Sequence, residues 1–160
     1  MQRVDRIIDD ETFRRLLEHT AELEKDRIFC RHGIDHLLDV ARIALIMSYD
    51  DGIPIERDVI YAAALLHDIG RCAQYENGTA HEEESARIAP QILNKCGYSD
   101  EETDEIVRAI REHGNENIKD EKSLTGILYR ADKASRKCYM CKAGDKCHKK
   151  PGKRVMSVKY

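Results

Sequence analysis

Six side chains with metal-ligand chemistry are spread widely over the chain: His36, the doublet His67-Asp68, His81, His113 and Asp132. The doublet is the most telling. It ends the apolar run Val59-Ile60-Tyr61-Ala62-Ala63-Ala64-Leu65-Leu66 and is followed by Ile69-Gly70-Arg71. Such a run belongs in an interior, so an imidazole, a carboxylate and a guanidinium stand at the edge of the core. Charge is tolerated there only when it is paired or bound to a metal. Asp132 poses the same question inside the largely apolar Leu128-Tyr129-Arg130-Ala131-Asp132-Lys133-Ala134. Each remaining histidine has an ordinary reading when taken alone. His36 suits a solvent-facing or satisfied core residue, His81 a surface residue, and His113 a helix C-terminus, where the dipole favours it. Together they suit zinc, iron, manganese or nickel, whereas an all-oxygen site would suit magnesium. Six groups exceed what one catalytic ion takes from protein. Two ions sharing Asp68 would use them all, because a carboxylate has two oxygens to bridge with and an imidazole nitrogen cannot bridge.

The elements that must position these groups read as helices. Apolar residues at three- and four-residue steps predict helices over 10–29, 34–49, 56–69, 81–95, 100–113 and 121–137. Gly70 is expected to close the third and most apolar of them, with a loop at 72–79 after it. Pro90 is expected to kink or break the fourth. Ser99 and Glu102 form a capping box for the fifth. Only residues 154–160 alternate enough for a short strand. The expected fold class is all-α: a compact bundle of six or more helices.

With 160 residues the chain suits one domain, 1–160, of which 137–160 form a basic, cysteine-containing extension. Charged residues make up 36% and tryptophan is absent, which reads as a soluble protein. No apolar run approaches a membrane span. The N-terminus lacks the apolar core of a signal peptide, which predicts a cytoplasmic protein with no membrane partner. The net charge of −3 hides a split, since residues 137–160 hold eight Lys/Arg against one Asp, a balance of +7 that leaves −10 for residues 1–136. Such a tail either attracts an anionic partner or packs on the acidic body. Oligomeric state is not legible here.

The order and local wording of the ligand candidates resemble the HD superfamily of metal-dependent phosphohydrolases, over roughly residues 30–137. The resemblance rests on Asp35-His36-Leu37-Leu38-Asp39-Val40-Ala41, on Ala64-Leu65-Leu66-His67-Asp68-Ile69-Gly70-Arg71, and on Tyr129-Arg130-Ala131-Asp132-Lys133. It implies a helical domain in which His36, His67, Asp68 and Asp132 hold one ion. His81 and His113 fall where the binuclear branches, including those that split dinucleoside tetraphosphates symmetrically, carry two further histidines. The Gly-Tyr-Pro extension of the cyclic-dinucleotide phosphodiesterases is absent, which argues against that substrate. The expected activity is hydrolysis of a phosphoester or phosphoanhydride in a nucleotide or other small phosphorylated compound, with Asp68 bridging the ions and helping to orient the water. Arg71, one turn from Asp68, offers a fork of donors to phosphate, or else a salt bridge to an acidic neighbour. Lys133 and Arg136 meet phosphate or solvent, and His32 is a candidate substrate contact. Glu82 and Glu83 are placed to orient His81 or to serve as ordinary first-turn acids. A di-iron oxygenase with the same ligand set is the alternative from another reaction class.

The six cysteines do not form a disulfide framework, and reduced thiols are expected. Cys138, Cys141 and Cys147, with a two-residue and then a five-residue gap, are candidates for a small zinc or iron–sulfur site, with His148 or a remote cysteine as a fourth ligand. A nucleic-acid module using the basic tail is a third alternative. With only Tyr139 and Tyr160 to stack on bases, the tail argues against nucleic acid as a partner.

Overall fold

The central element of the computed structural model, which describes residues 1–160, is the helix that the apolar run predicts. Eight α-helices follow in order: α1 Gln2–Asp9, α2 Glu11–Leu23, α3 Ile34–Asp50, α4 Arg57–Leu66, α5 Arg71–Asn77, α6 His81–Cys96, α7 Asp100–Glu112 and α8 Leu124–Ala134. Every residue of α4 from Ala62 to Leu66 is fully buried. Helices α1, α3, α6, α7 and α8 all pack on α4. Burying each such Leu or Ile contributes ~1.5–3 kcal/mol, so helices that surround α4 repay the cost of ordering it. None of the helices is long and apolar enough to cross a membrane.

Local chemistry sets the boundaries. Asp10 caps α2 by accepting from the Thr12 and Phe13 amides at 2.9 and 3.1 Å. Ser99 and Glu102 complete the anticipated capping box at the start of α7. At the N-terminal end of α4, Arg3 reaches two carboxylates in bidentate fashion. Its Nε and Nη2 donate to Asp58 at 2.6 and 2.8 Å, and its Nη1 and Nη2 donate to Glu102 at 2.6 and 2.8 Å. The guanidinium lies 4.2 Å from the centre of the Tyr98 ring, whose hydroxyl donates to the Asp58 carbonyl at 3.0 Å.

Several expected boundaries are corrected. Residues 2–9 form a helix of their own, with Val4 and Ile7 buried at a three-residue step, a signal the sequence carried. The helix expected over 10–29 ends at Leu23, and 24–33 is irregular chain that returns His32 to Glu24 at the end of that helix. Segment 71–77 is helical rather than a loop. Its composition favours helix, and Asn77-Gly78 ends it as a left-handed cap at φ +79°. Pro90 does not break α6: its cost of about 3 kcal/mol is offset by neighbours such as Ile92 and Leu93, both fully buried. The last long helix starts at Leu124, capped by Ser123, and stops at Ala134. No strand forms at 154–160. Residues 135–160 instead make three short 3-10 turns, Cys138–Met140, Gly144–Lys146 and Pro151–Lys153. Ion pairs join this segment to the body, Lys137 with Asp39 and Lys153 with Glu116.

Candidate metal centre

The doublet does not lie within a helix. α4 stops at Leu66, and residues 67–70 form the turn that leads into α5. This turn presents His67 and Asp68 to the residues arriving on four other helices: His36 on α3, His81 at the start of α6, His113 at the end of α7, and Asp132 on α8. The turn rests directly on α6. The Gly70 amide donates to Ser85 Oγ at 2.9 Å, and a Cβ on Gly70 would lie 2.6 Å from the Ser85 nitrogen and 2.7 Å from the His81 oxygen. Only glycine permits that approach.

The structure brings all six ligand candidates together around Asp68. Its Oδ2 faces His67 Nε2 at 3.2 Å and His36 Nε2 at 3.5 Å, while Oδ1 faces His81 Nε2 at 3.3 Å and His113 Nε2 at 3.7 Å. Asp132 Oδ1 closes the first group, 3.5 Å from His36 Nε2 and 3.9 Å from His67 Nε2. The Nε2 atoms of His81 and His113 are 3.3 Å apart. Two ligand groups result, His36-His67-Asp68 and Asp68-His81-His113, each with its ligand atoms within 4.8 Å of one another.

The imidazoles are oriented from behind. His67 Nδ1 contacts the Ala64 carbonyl at 2.7 Å and His113 Nδ1 the Ile110 carbonyl at 2.6 Å. His81 is the exception: Glu82 Oε2 lies 3.1 Å from its Nδ1, but no hydrogen bond forms. Ser135 Oγ sits 3.4 Å from His36 Nδ1 while donating to the Asp132 carbonyl at 2.8 Å. A carbonyl can only accept, so Nδ1 of His67 and of His113 carries a proton and a neutral ring then turns the lone pair of Nε2 inward. That is the arrangement of metal-bound histidine. The atoms aimed inward find no hydrogen-bond partner in the protein: His36 Nε2, His67 Nε2 and both oxygens of Asp68 are buried and unsatisfied. Burial without a partner is expensive, and cations between these atoms would relieve it. The donor set therefore fits divalent metal.

Electrostatics agree with that fit. Burial pushes the His81 imidazole down to about 3, assisted by Arg71. Burial and then His67 push His113 down to about 4, so both are neutral donors at pH 7. Burial opposes ionisation of Asp68, but His67, His36 and Arg71 outweigh it and hold the carboxyl well below its ordinary range. Asp132 is likewise held down against burial, by Lys133 and His67. His67 goes the other way: burial lowers its pKa, and Asp68 and Asp132 more than compensate.

The remaining candidates occupy distinct positions. Arg71 Nη2 lies 3.0 Å from Asp68 Oδ1 at an angle too poor for a hydrogen bond, and its buried Nε has no partner. Lys133 Nζ contacts Asp132 Oδ2 at 2.5 Å and donates to the His113 carbonyl at 3.1 Å, tying α7 to α8 beneath the site. Arg136 Nη2 is 3.7 Å from Asp132 Oδ2. His32 stacks edge-on against His36 with ring centres 5.5 Å apart. Cys138, Cys141 and Cys147 are free thiols, and neither they nor His148 belong to either of the two ligand groups. One functional-looking residue had no sequence signal. Glu24 is 2 % exposed, and its carboxylate is held by His32 and Tyr75.

Comparison with known proteins agrees with this architecture. The HD domain profile matches residues 33–137. An uncharacterized protein of Clostridium beijerinckii is 38% identical over 160 residues, covering 100% of both chains. Ribonuclease Y of Rubrobacter xylanophilus is 37% identical over 101 residues, 63% of this chain but 18% of that one, so the chain spans a small part of that relative. A crystal structure of a predicted HD superfamily hydrolase from an uncultured Thermotogales bacterium superposes with a TM-score of 0.62 at 27% identity. The match covers 89% of this chain and 81% of the other.

Proposed function

This chain belongs to the HD domain family, and from that premise we propose that it is a metal-dependent phosphohydrolase acting on a nucleotide or another small phosphorylated compound. The observation that carries the reading is the placement of Asp68 between two histidine pairs, with neither oxygen accepting a hydrogen bond from the protein. His36, His67, Asp68 and Asp132 would hold one divalent ion, and Asp68, His81 and His113 a second. Bound there, such ions supply a water ionised near neutral pH and neutralise charge on the phosphoryl oxygens.

The chain's own residues do the rest. Asp68 spans both groups with one oxygen each and fixes their separation. Lys133 holds Asp132 against the site and, through the His113 carbonyl, fixes the end of α7. Arg71, anchored on Asp68 and on Gln74 Oε1 at 2.9 Å, holds its partly exposed guanidinium beside the site for a phosphate oxygen. Arg136 adds a second cation beside Asp132 for the charge of the substrate.

The test is elemental analysis of the untagged protein, followed by phosphate release from a panel of mono- and dinucleotides without oxygen and with manganese. Two metal atoms per chain and anaerobic hydrolysis are expected. One atom would remove His81 and His113 from the proposed ligand set. Strict dependence on iron and oxygen would instead favour oxidative cleavage by a di-iron centre.

A further inference from the structure

Glu24 is an unusual residue to find beside a metal centre it does not enter. It caps the end of α2 in a charged stretch, Glu22-Leu23-Glu24-Lys25-Asp26-Arg27, yet only 2 % of it is exposed. Three donors from two other parts of the chain close on its carboxylate. The His32 backbone amide donates to Oε2 at 2.7 Å, His32 Nδ1 lies 2.5 Å from Oε1, and the Tyr75 hydroxyl on α5 donates to Oε1 at 2.5 Å. Arg27 Nε stands off at 3.9 Å. Burial opposes the charge, but these hydrogen bonds outweigh it and bring the carboxyl down to about 2.

An ionised carboxylate only accepts, so the His32 Nδ1 facing it carries the proton. The other ring nitrogen, Nε2, has no partner in the protein and is not among the sealed, unsatisfied atoms, so it remains reachable from outside. The ring that carries it stands edge-on to the metal-ligand candidate His36. A backbone hydrogen bond, a ring hydrogen bond and a tyrosine clamp thus fix one imidazole in position and tautomer at the rim of the site.

We propose that Glu24 is a positioning residue that holds His32 Nε2 as a hydrogen-bond acceptor for a hydroxyl group of the substrate. The compound recognised would then be a phosphorylated one carrying a free hydroxyl, such as the ribose of a nucleotide. The kinetic half of this inference rests on the hydrolase reading, and the tautomer half does not.

Glu24→Gln is the discriminating variant because it keeps the shape of the side chain. Its amide can turn an NH2 toward Nδ1, which moves the ring proton to Nε2 and converts the acceptor into a donor. Long-range nitrogen–proton NMR spectra of the imidazoles should show His32 protonated on Nδ1 in the wild type and on Nε2 in Glu24→Gln. A wild-type ring protonated on Nε2, alone or together with Nδ1, overturns the proposal, whatever the enzyme does. In the kinetic arm, KM for ribonucleotides should rise about tenfold in Glu24→Gln with kcat within about twofold. KM for the 2′- or 3′-deoxy counterpart that lacks the recognised hydroxyl should not move. A Tyr75→Phe variant, which leaves Glu24 and His32 in contact, should retain most of the ribo/deoxy discrimination. Equal KM changes for ribo and deoxy substrates would reduce Glu24 to a structural part and overturn the proposal. Failure of the metal-loaded wild type to hydrolyse any member of the panel would count against the hydrolase reading, and the NMR result would still decide the placement of the ring.

Discussion

The two ends of α4 carry charge in opposite ways. At its N-terminal end Asp58 accepts two hydrogen bonds from Arg3, whose fork also grips Glu102, and every charged atom has a protein partner at ordinary distance. Arg3 holds both carboxyls below their usual range. At the C-terminal end Asp68 is more deeply buried and is surrounded by four imidazoles, yet accepts no hydrogen bond. The first arrangement is complete as it stands and joins α1, α4 and α7. The second has the cost of burial without the compensation, and such a deficit persists in a fold when something other than the chain supplies the missing charge. Satisfaction of hydrogen-bonding capacity therefore separates a structural ionic cluster from a functional one more sharply than burial or charge alone.

The strongest way to break this contrast is at Asp68. Asp68→Asn keeps the shape and removes the charge, and it should release both metal atoms and lower hydrolysis by roughly a thousandfold or more, since several kcal/mol of charge stabilisation go with the metal. Elemental analysis with a phosphate-release assay checks this, and retained metal in that variant would contradict the shared-carboxylate arrangement.

Glu24 sharpens the contrast from the other side, because it is buried near the site but satisfied by the protein. With its folded pKa lowered to about 2, its contribution to stability is fully present above its unfolded pKa of about 4.5 and is lost as the pH falls from there to 2. The amount is on the order of 3 kcal/mol. Urea titrations across that window should show the acid-induced loss in the wild type and a correspondingly weaker pH dependence in Glu24→Gln.

The smallest effect is expected at the opposite end of α4. Arg3→Ala should cost about 2 kcal/mol of folding stability by leaving two carboxylates without their shared donor. Metal content and kcat/KM should be unchanged, so thermal unfolding and the phosphate assay read in parallel would reveal any hidden coupling between the two ends.

Three of the ligand candidates were legible because each is anomalous in its local setting, whereas His36, His81 and His113 look ordinary alone and were legible through the resemblance to the HD superfamily. His67-Asp68 ends an apolar run, and Asp132 interrupts an apolar helix. The bundle was legible from the periodicity of α3, α4, α6, α7 and α8. Glu24 was not legible, because its neighbours are those of a solvated helix face. Its burial comes from residues 24–33 folding back and from Tyr75, which lies on a helix where a loop was expected. The cysteine spacing is a weaker signal for the converse reason: a two-residue gap is compatible with a metal knuckle but does not enforce one, and these thiols belong to neither ligand group. Local sequence reports what a residue costs where it stands, whereas convergence of distant segments is decided by packing.

Gly70 has a consequence for how exact the centre must be. The turn bearing the doublet lies against the first turns of α6, held by the Gly70 amide on Ser85 Oγ and with no side chain on Gly70 to push the two backbones apart. The gauge between His81 and Asp68 is accordingly set by a close approach that only a glycine allows, like the jaws of a calliper closed on a hard stop. In the proposed centre, the spacing between these two ligands is inherited from a missing methyl group.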